Sequence, residues 1–206
     1  MTGKKHPLLI YDRIHRQRRL VFLVAALIFA GMYALPYLVD AETAKALWPP
    51  AYDNLFLAAS MIAFFPFLFK LIAPKLAYVQ CTERNVRIQT PFFPLFISYR
   101  RIHTTRPNQW GRVFPPEKRT RSQRRLIEPI AGGEVIILDL KGWPAPLGWL
   151  KLWIPSVMFS PDGTGLVLWV QDWMALNREL SDFKDRRREA RMAPQPDTSL
   201  YNRMKR

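Results

Sequence analysis

The side chains that could do chemistry in this sequence are mostly cations. Arg100, Arg101, Arg106, Arg112, Lys118, Arg119, Arg121, Arg124 and Arg125 all fall between positions 100 and 125. Such a density suits an anionic ligand, first lipid head groups and then an acidic protein surface. The competing reading is a solvated loop whose arginines only enforce topology, since cytoplasmic segments of membrane proteins carry such an excess anyway. Trp110 and Phe114 interleave with the charges as a base-stacking platform would, but two aromatics are too few to favour nucleic acid.

Nothing in the chain suggests catalysis. There is no Gly-rich phosphate loop, no HExxH and no GxSxG. Glu134 and Asp139 share one extended stretch, but an odd separation puts them on opposite faces. Cys81 alternates with Val79 and Ala77 on an inward-facing register, so it reads as a small core residue. One cysteine excludes an internal disulfide and a cysteine metal cage, and His6, His15 and His103 are scattered. We expect no enzyme activity, no cofactor and no metal. An unrecognised enzyme using a cleft between domain and membrane is the alternative.

The elements that must position these residues begin with a membrane anchor. Leu20 to Val39, LVFLVAALIFAGMYALPYLV, carries no charge and covers the hydrocarbon thickness of a bilayer as a helix. It is longer than a signal-peptide core and has no small-x-small cleavage pattern behind it. Leu55 to Ile72 is a second apolar run, with Lys70 near enough to its end to snorkel beside Lys75. Lys4, Lys5, Arg13, Arg16, Arg18 and Arg19 precede the hairpin, whereas Asp40, Glu42 and Asp53 mark a short outer loop. Both termini are therefore expected on the cytoplasmic side. Ala26, Ala30 and Ala34 on the first helix, with Ala59 and Ala63 on the second, offer small-residue stripes for close approach. Across 206 residues the net charge is +15 and 49% of the chain is hydrophobic. The mean hydropathy of -0.10 leaves room for one soluble domain.

From Leu76 the periodicity falls to two. Val86 and Ile88 alternate with Arg87 and Gln89, Glu83 to Asn85 reads as a turn, and Leu95 to Ile102 is a third extended stretch. Residues 103 to 133, broken by Pro107, Pro115, Pro116, Pro129 and Gly132-Gly133, read as a long basic loop. Strands resume at Glu134 to Leu140, Ser156 to Ser160 and Gly165 to Val170, with a reversal at Pro161-Asp162-Gly163. Trp169, Trp173, Leu176, Leu180 and Phe183 line one face of a helix running from about Gln171 to Arg191 and ending in Arg186-Arg187-Arg188.

Tyr78 to Ile88, YVQCTERNVRI, is similar to the first hairpin of bacterial pleckstrin-homology-like membrane proteins. Gly165 to Leu180, GLVLWVQDWMALNREL, is similar to their last strand and closing helix. The resemblance covers about Leu76 to Arg191 and implies a binding or scaffolding module, with no functional residue carried over. The fold class expected is thus a transmembrane helical hairpin followed by a small PH-like antiparallel β domain closed by a C-terminal amphipathic helix. The corresponding partition is a basic cytoplasmic segment at 1–19, the hairpin at 20–72, the domain at 76–191 and a flexible basic tail at 192–206. The reading is a non-catalytic accessory or scaffold of the bacterial inner membrane that binds anionic lipid or a membrane protein partner. Gly142 to Pro155, GWPAPLGWLKLWIP, places Trp143, Trp149 and Trp153 in a segment too short to span a bilayer. Trp149 and Trp153 fit one face of a helical turn that docks at the membrane interface or on a partner helix, or else close the open end of a strand barrel.

Overall fold

The structure, a computed structural model, describes residues 2–16, 19–38, 52–118 and 120–192. The outer loop expected between the helices and the tail expected after Met192 lie almost wholly outside the described residues, as does Arg119.

The first element corrects the domain partition. Thr2–Pro7, in the segment read as a basic cytoplasmic N-terminus apart from the domain at 76–191, is a strand, β1. It pairs antiparallel with β2, Tyr78–Thr82, in a register that sets His6 opposite Val79 and Pro7 opposite Tyr78. TGKKHP has little intrinsic strand preference; what holds it is the otherwise open edge of β2 and the burial of His6, Leu8, Ile10 and Tyr11. The next helix, α1 (Leu9–Arg16), leads toward the first apolar helix. The domain is thus assembled from both sides of the helical hairpin, and that hairpin is an insertion between two paired strands.

Helix α2, Arg19–Leu38, and α3, Asp53–Leu76, are each long and apolar enough to cross a membrane. They pack against each other, and Ser60 Oγ donates to the Ala26 carbonyl at 3.1 Å, a close approach that Ala26 permits. Ala34, Ala59 and Ala63 are half-buried, but Ala30 is exposed, so the first helix does not use its whole alanine stripe. Lys70 sits with its Nζ 4.6 Å from the Phe22 ring centroid, held over the partner helix. Val21, Leu27, Ile62 and Phe65 are exposed on the outside of the pair.

Strands β2, β3 (Asn85–Gln89) and β4 (Pro94–Ser98) follow β1 in one four-stranded sheet. Val79, Cys81, Val86, Ile88, Leu95 and Ile97 alternate into the core. The second sheet contains β5 (Ile102–Gln109), β6 (Glu134–Leu140) and β7 (Gly165–Leu168) in that order. Here a second expectation fails: residues 103–109 are not loop but a strand paired with β6 from Ile102↔Leu140 to Gln109↔Glu134. Pro107 is tolerated because β5 is, among the described residues, an edge strand of its sheet.

The rest of the basic insert contains two short helices, α4 (Trp110–Val113) and α5 (Arg121–Ile127), pinned by the buried side chains of Trp110 and Ile127. The strand expected over Ser156–Ser160 is instead a 3-10 turn, Ser156–Met158, followed by a single bridge from Phe159 to Leu166. The reversal before β7 is as read: Gly163 has φ +71 and its N–H donates to Ser160 O at 2.9 Å. Helix α6 is Leu147–Trp153. The closing helix α7, Trp173–Met192, is capped by Asp172, whose Oδ1 accepts from Ala175 N–H at 2.9 Å. Its expected face points inward, with Leu176 and Leu180 buried and Trp173 and Phe183 packed beside them.

Candidate membrane-proximal docking face

Two short segments meet beside the end of α3. The first is the β3–β4 turn. Thr90 Oγ1 accepts from Phe93 N–H at 2.9 Å and donates to Phe93 O at 2.7 Å, closing the turn and leaving Phe92 at its tip. The second is α6, which starts after Pro146 and stops before Pro155, with Leu150 as its buried anchor. Phe93 meets Trp149 edge-on at 4.6 Å between centroids, and Phe92 meets Trp153 at 6.1 Å. Phe92 also stacks at 5.1 Å on Phe69, which belongs to α3, so the aromatic chain runs from the helical hairpin onto the domain.

This face is apolar yet open. Leu152 is 78% exposed, Phe92 58%, and Trp149 and Trp153 41% each. A side chain closing the end of a barrel would be covered, and here Leu150 and Ile154 do that while Leu152 and the tryptophan edges face outward. Lys151, exposed between them, adds a cation to the rim. Phe92 was missed in the sequence because a TPFFP run reads as a break; two adjacent aromatics between prolines in so short a turn cannot both be buried.

Trp143 does not join the other two tryptophans. Its ring lies 5.4 Å from Phe159 and its Nε1 donates to Gly163 O at 3.1 Å, so it holds the 142–164 excursion against the turn before β7. Arg101 donates to the Trp143 carbonyl.

Of the nine cations grouped in the sequence, the eight among the described residues are likewise dispersed by the fold. Arg100 and Arg101 sit in the corner between β4 and β5. Arg106 is committed to Asp139, with Nε to Oδ2 at 2.7 Å and a second contact at 3.1 Å to Oδ1. Those hydrogen bonds, and then the carboxylate charge, push the Arg106 guanidinium pKa above its ordinary value. Arg112, Arg121, Arg124 and Arg125 are exposed on α4 and α5, and Lys118 ends a 3-10 turn just before them. That helical pair is tied down by Trp110 N–H to Gly133 O and Gly111 N–H to Ala131 O. Trp110 packs edge-on against Trp169, whose carbonyl accepts from Leu9 N–H at 2.9 Å. The α4–α5 cations are therefore anchored next to the strand-to-helix junction where the chain leaves for α2.

A buried polar contact joins the first strand to the closing helix. His6 Nε2 lies 3.4 Å from Glu179 Oε1, and a Cβ at Gly3 would come within 2.6 Å of Glu179 Oε2, so glycine there makes the room. Neighbouring Cys81 is fully buried, and burial pushes its thiol pKa up to about 12. Burial also raises the pKa of Tyr99, whose hydroxyl donates to Thr82 O at 2.8 Å. A thiol that stays protonated and covered is a packing group. Among the described residues no three His, Cys, Asp or Glu side chains converge as a metal site.

Comparison with known proteins finds no family model, no curated protein and no solved structure that matches this chain.

Proposed function

We propose that this chain is a non-catalytic accessory or scaffold protein of the bacterial cytoplasmic membrane. Its α2–α3 hairpin inserts in the bilayer, both termini lie in the cytoplasm, and a PH-like domain rests on the membrane surface to engage anionic lipid or a membrane-embedded partner. The four-plus-three arrangement of antiparallel strands with a C-terminal closing helix supports the PH-like reading. The observation that carries the membrane reading is the open aromatic face of Phe92, Trp149, Leu152 and Trp153, continuous through Phe69 with an apolar helix. Tryptophan and phenylalanine at the foot of an apolar helix match the interfacial zone, where one side of the ring is dry and the other wet.

The exposed cations of α4 and α5 supply the electrostatic half, each contributing roughly 1 kcal/mol near an anionic leaflet. Insertion between two paired strands gives the scaffold reading a mechanical basis. Pro7 and Tyr78, on either side of the hairpin, are register partners, so the two chain segments that flank the helices are paired in one sheet. A spin label at position 152 in nanodiscs tests the docking: it reports lipid-like surroundings if the face meets the membrane and bulk-water surroundings if it does not.

A further inference from the structure

A different part of the surface collects cationic side chains from several elements. Between the last turns of α7 and the β4–β5 corner lies a cleft of about 410 Å³ lined by Arg100, His103, Lys141, Lys184, Arg187 and Arg188. These come from three separate places in the chain, and only the fold brings them together. Helix α7 carries Asp182, Asp185 and Glu189 as well, but none of them lines the cleft. Among the described residues no carboxylate stands within ion-pair distance of these cations. Their hydrogen bonds go to backbone carbonyls instead: Lys184 Nζ donates to His103 O at 3.2 Å, and Arg187 donates to Arg84 O. Those bonds tie the helix to both flanking turns and fix the cleft's width.

Five uncompensated permanent cations around one hollow repel each other, and a compact polyanion relieves that repulsion while accepting charge-assisted hydrogen bonds. The cleft offers no aromatic or aliphatic anchor, because Tyr99 and Ile102 beneath it are buried and Ala190 is small. A protein or peptide partner needs such anchors for affinity, whereas a small anion of high charge density does not. The cleft sits away from the end of α3. The extended run from Ala77, where α3 ends, to Glu83, beside the cleft's helix, spans about 20 Å at about 3.3 Å per residue. That is more than two screening lengths of about 8 Å at physiological ionic strength.

We infer that this cleft is a binding site for a soluble, multiply charged phosphate compound of the oligophosphate class, separate from the membrane-facing surface. The inference rests on the membrane reading only for the distance from the bilayer.

The test uses the full chain in nanodiscs of phosphatidylcholine, with inorganic tripolyphosphate as the titrant in calorimetry. Saturable binding at one site is expected, weakening as salt rises and falling about tenfold or more in Lys184→Gln/Arg188→Gln. Arg178→Gln, exposed on the same helix but outside the cleft, should leave it unchanged. If the α7 variant loses its circular dichroism signature, Arg100→Gln/Lys141→Gln removes two cations from the opposite wall and should give the same loss. Absent or unsaturable binding, or equal affinity in both cleft variants and the wild type, overturns the proposal. So does displacement of tripolyphosphate by a phosphatidylinositol phosphate placed in the same disc, which would make the source a lipid. Tighter binding of hexaglutamate than of tripolyphosphate would make it an acidic peptide and overturns the proposal equally. Failure of the membrane docking is read separately, by the label at position 152, which the titrant does not touch.

Discussion

Leu152 and Leu150 sit two residues apart on one short helix and should respond in opposite ways to truncation. Leu150 is fully buried, so Leu150→Ala removes core contacts and should cost about 2–5 kcal/mol of domain stability. Leu152 is 78% exposed, so its replacement should leave stability within about 0.5 kcal/mol. If the face meets the bilayer, the exposed fraction measures what docking can bury. For Trp153, 41% of a side chain of about 200 Å² is about 80 Å², or about 2 kcal/mol at about 25 cal/mol per Å². Leu152 adds about 1.5 kcal/mol on the same scale. Leu152→Ser/Trp153→Ser therefore withdraws up to about 3.5 kcal/mol of membrane contact while the domain stays folded. The assay is a nitroxide at Leu152→Cys, read by its collision rates with oxygen and with a water-soluble nickel chelate. Native Cys81 can stay in place because it is buried. A matching label at Asp162→Cys, on the exposed turn before β7, supplies the bulk-water reference. Oxygen-rich, nickel-poor collisions at 152 are expected, and Trp153→Ser should move them toward the reference. Identical nickel accessibility at 152 and 162 would refute membrane docking of this face.

Deleting Thr2–Pro7 should destabilise the domain far more than removal of a flexible tail, because it opens the edge of β2 and removes buried His6; unchanged protease resistance in detergent would contradict this. Gly165→Ala should cost about 1–3 kcal/mol, since a Cβ there would lie 2.6 Å from Leu138 O, an atom of the neighbouring strand that cannot rotate away. Its check is the shift of the domain's melting midpoint. Cys81 should resist iodoacetamide at pH 8 and react only after denaturation. Its folded pKa of about 12 lies above an unfolded value near 8.5, so its contribution to stability is complete below about pH 8.5 and is lost as pH rises toward 12. Rapid stoichiometric labelling of the native protein would contradict that burial.

The two apolar helices, the β2–β3 hairpin and the closing helix were legible in the sequence because each is a local pattern. An uncharged run, alternation around Val86 and Ile88, and the spacing of Leu176, Leu180 and Phe183 declare their structure within a few turns of chain. The turn at Gly163 was legible for the same reason, a single residue able to hold a positive φ. Three things were decided only by tertiary contact. TGKKHP became a strand because β2 had an open edge, and a sequence window cannot see an edge presented by residues far along the chain. IHTTRPNQ became a strand despite Pro107 because it lies on the outside of its sheet, where one missing donor has no partner to lose. The clustered cations among the described residues separated into an ion pair with Asp139, a helical patch beside Trp110 and a corner facing α7, while Lys141, Lys184 and Arg187 joined Arg100 from distant positions. Charge acts across space and is indifferent to chain order, so composition could announce an excess of cations, but only the folding of the strands and α7 decided where the cations converge.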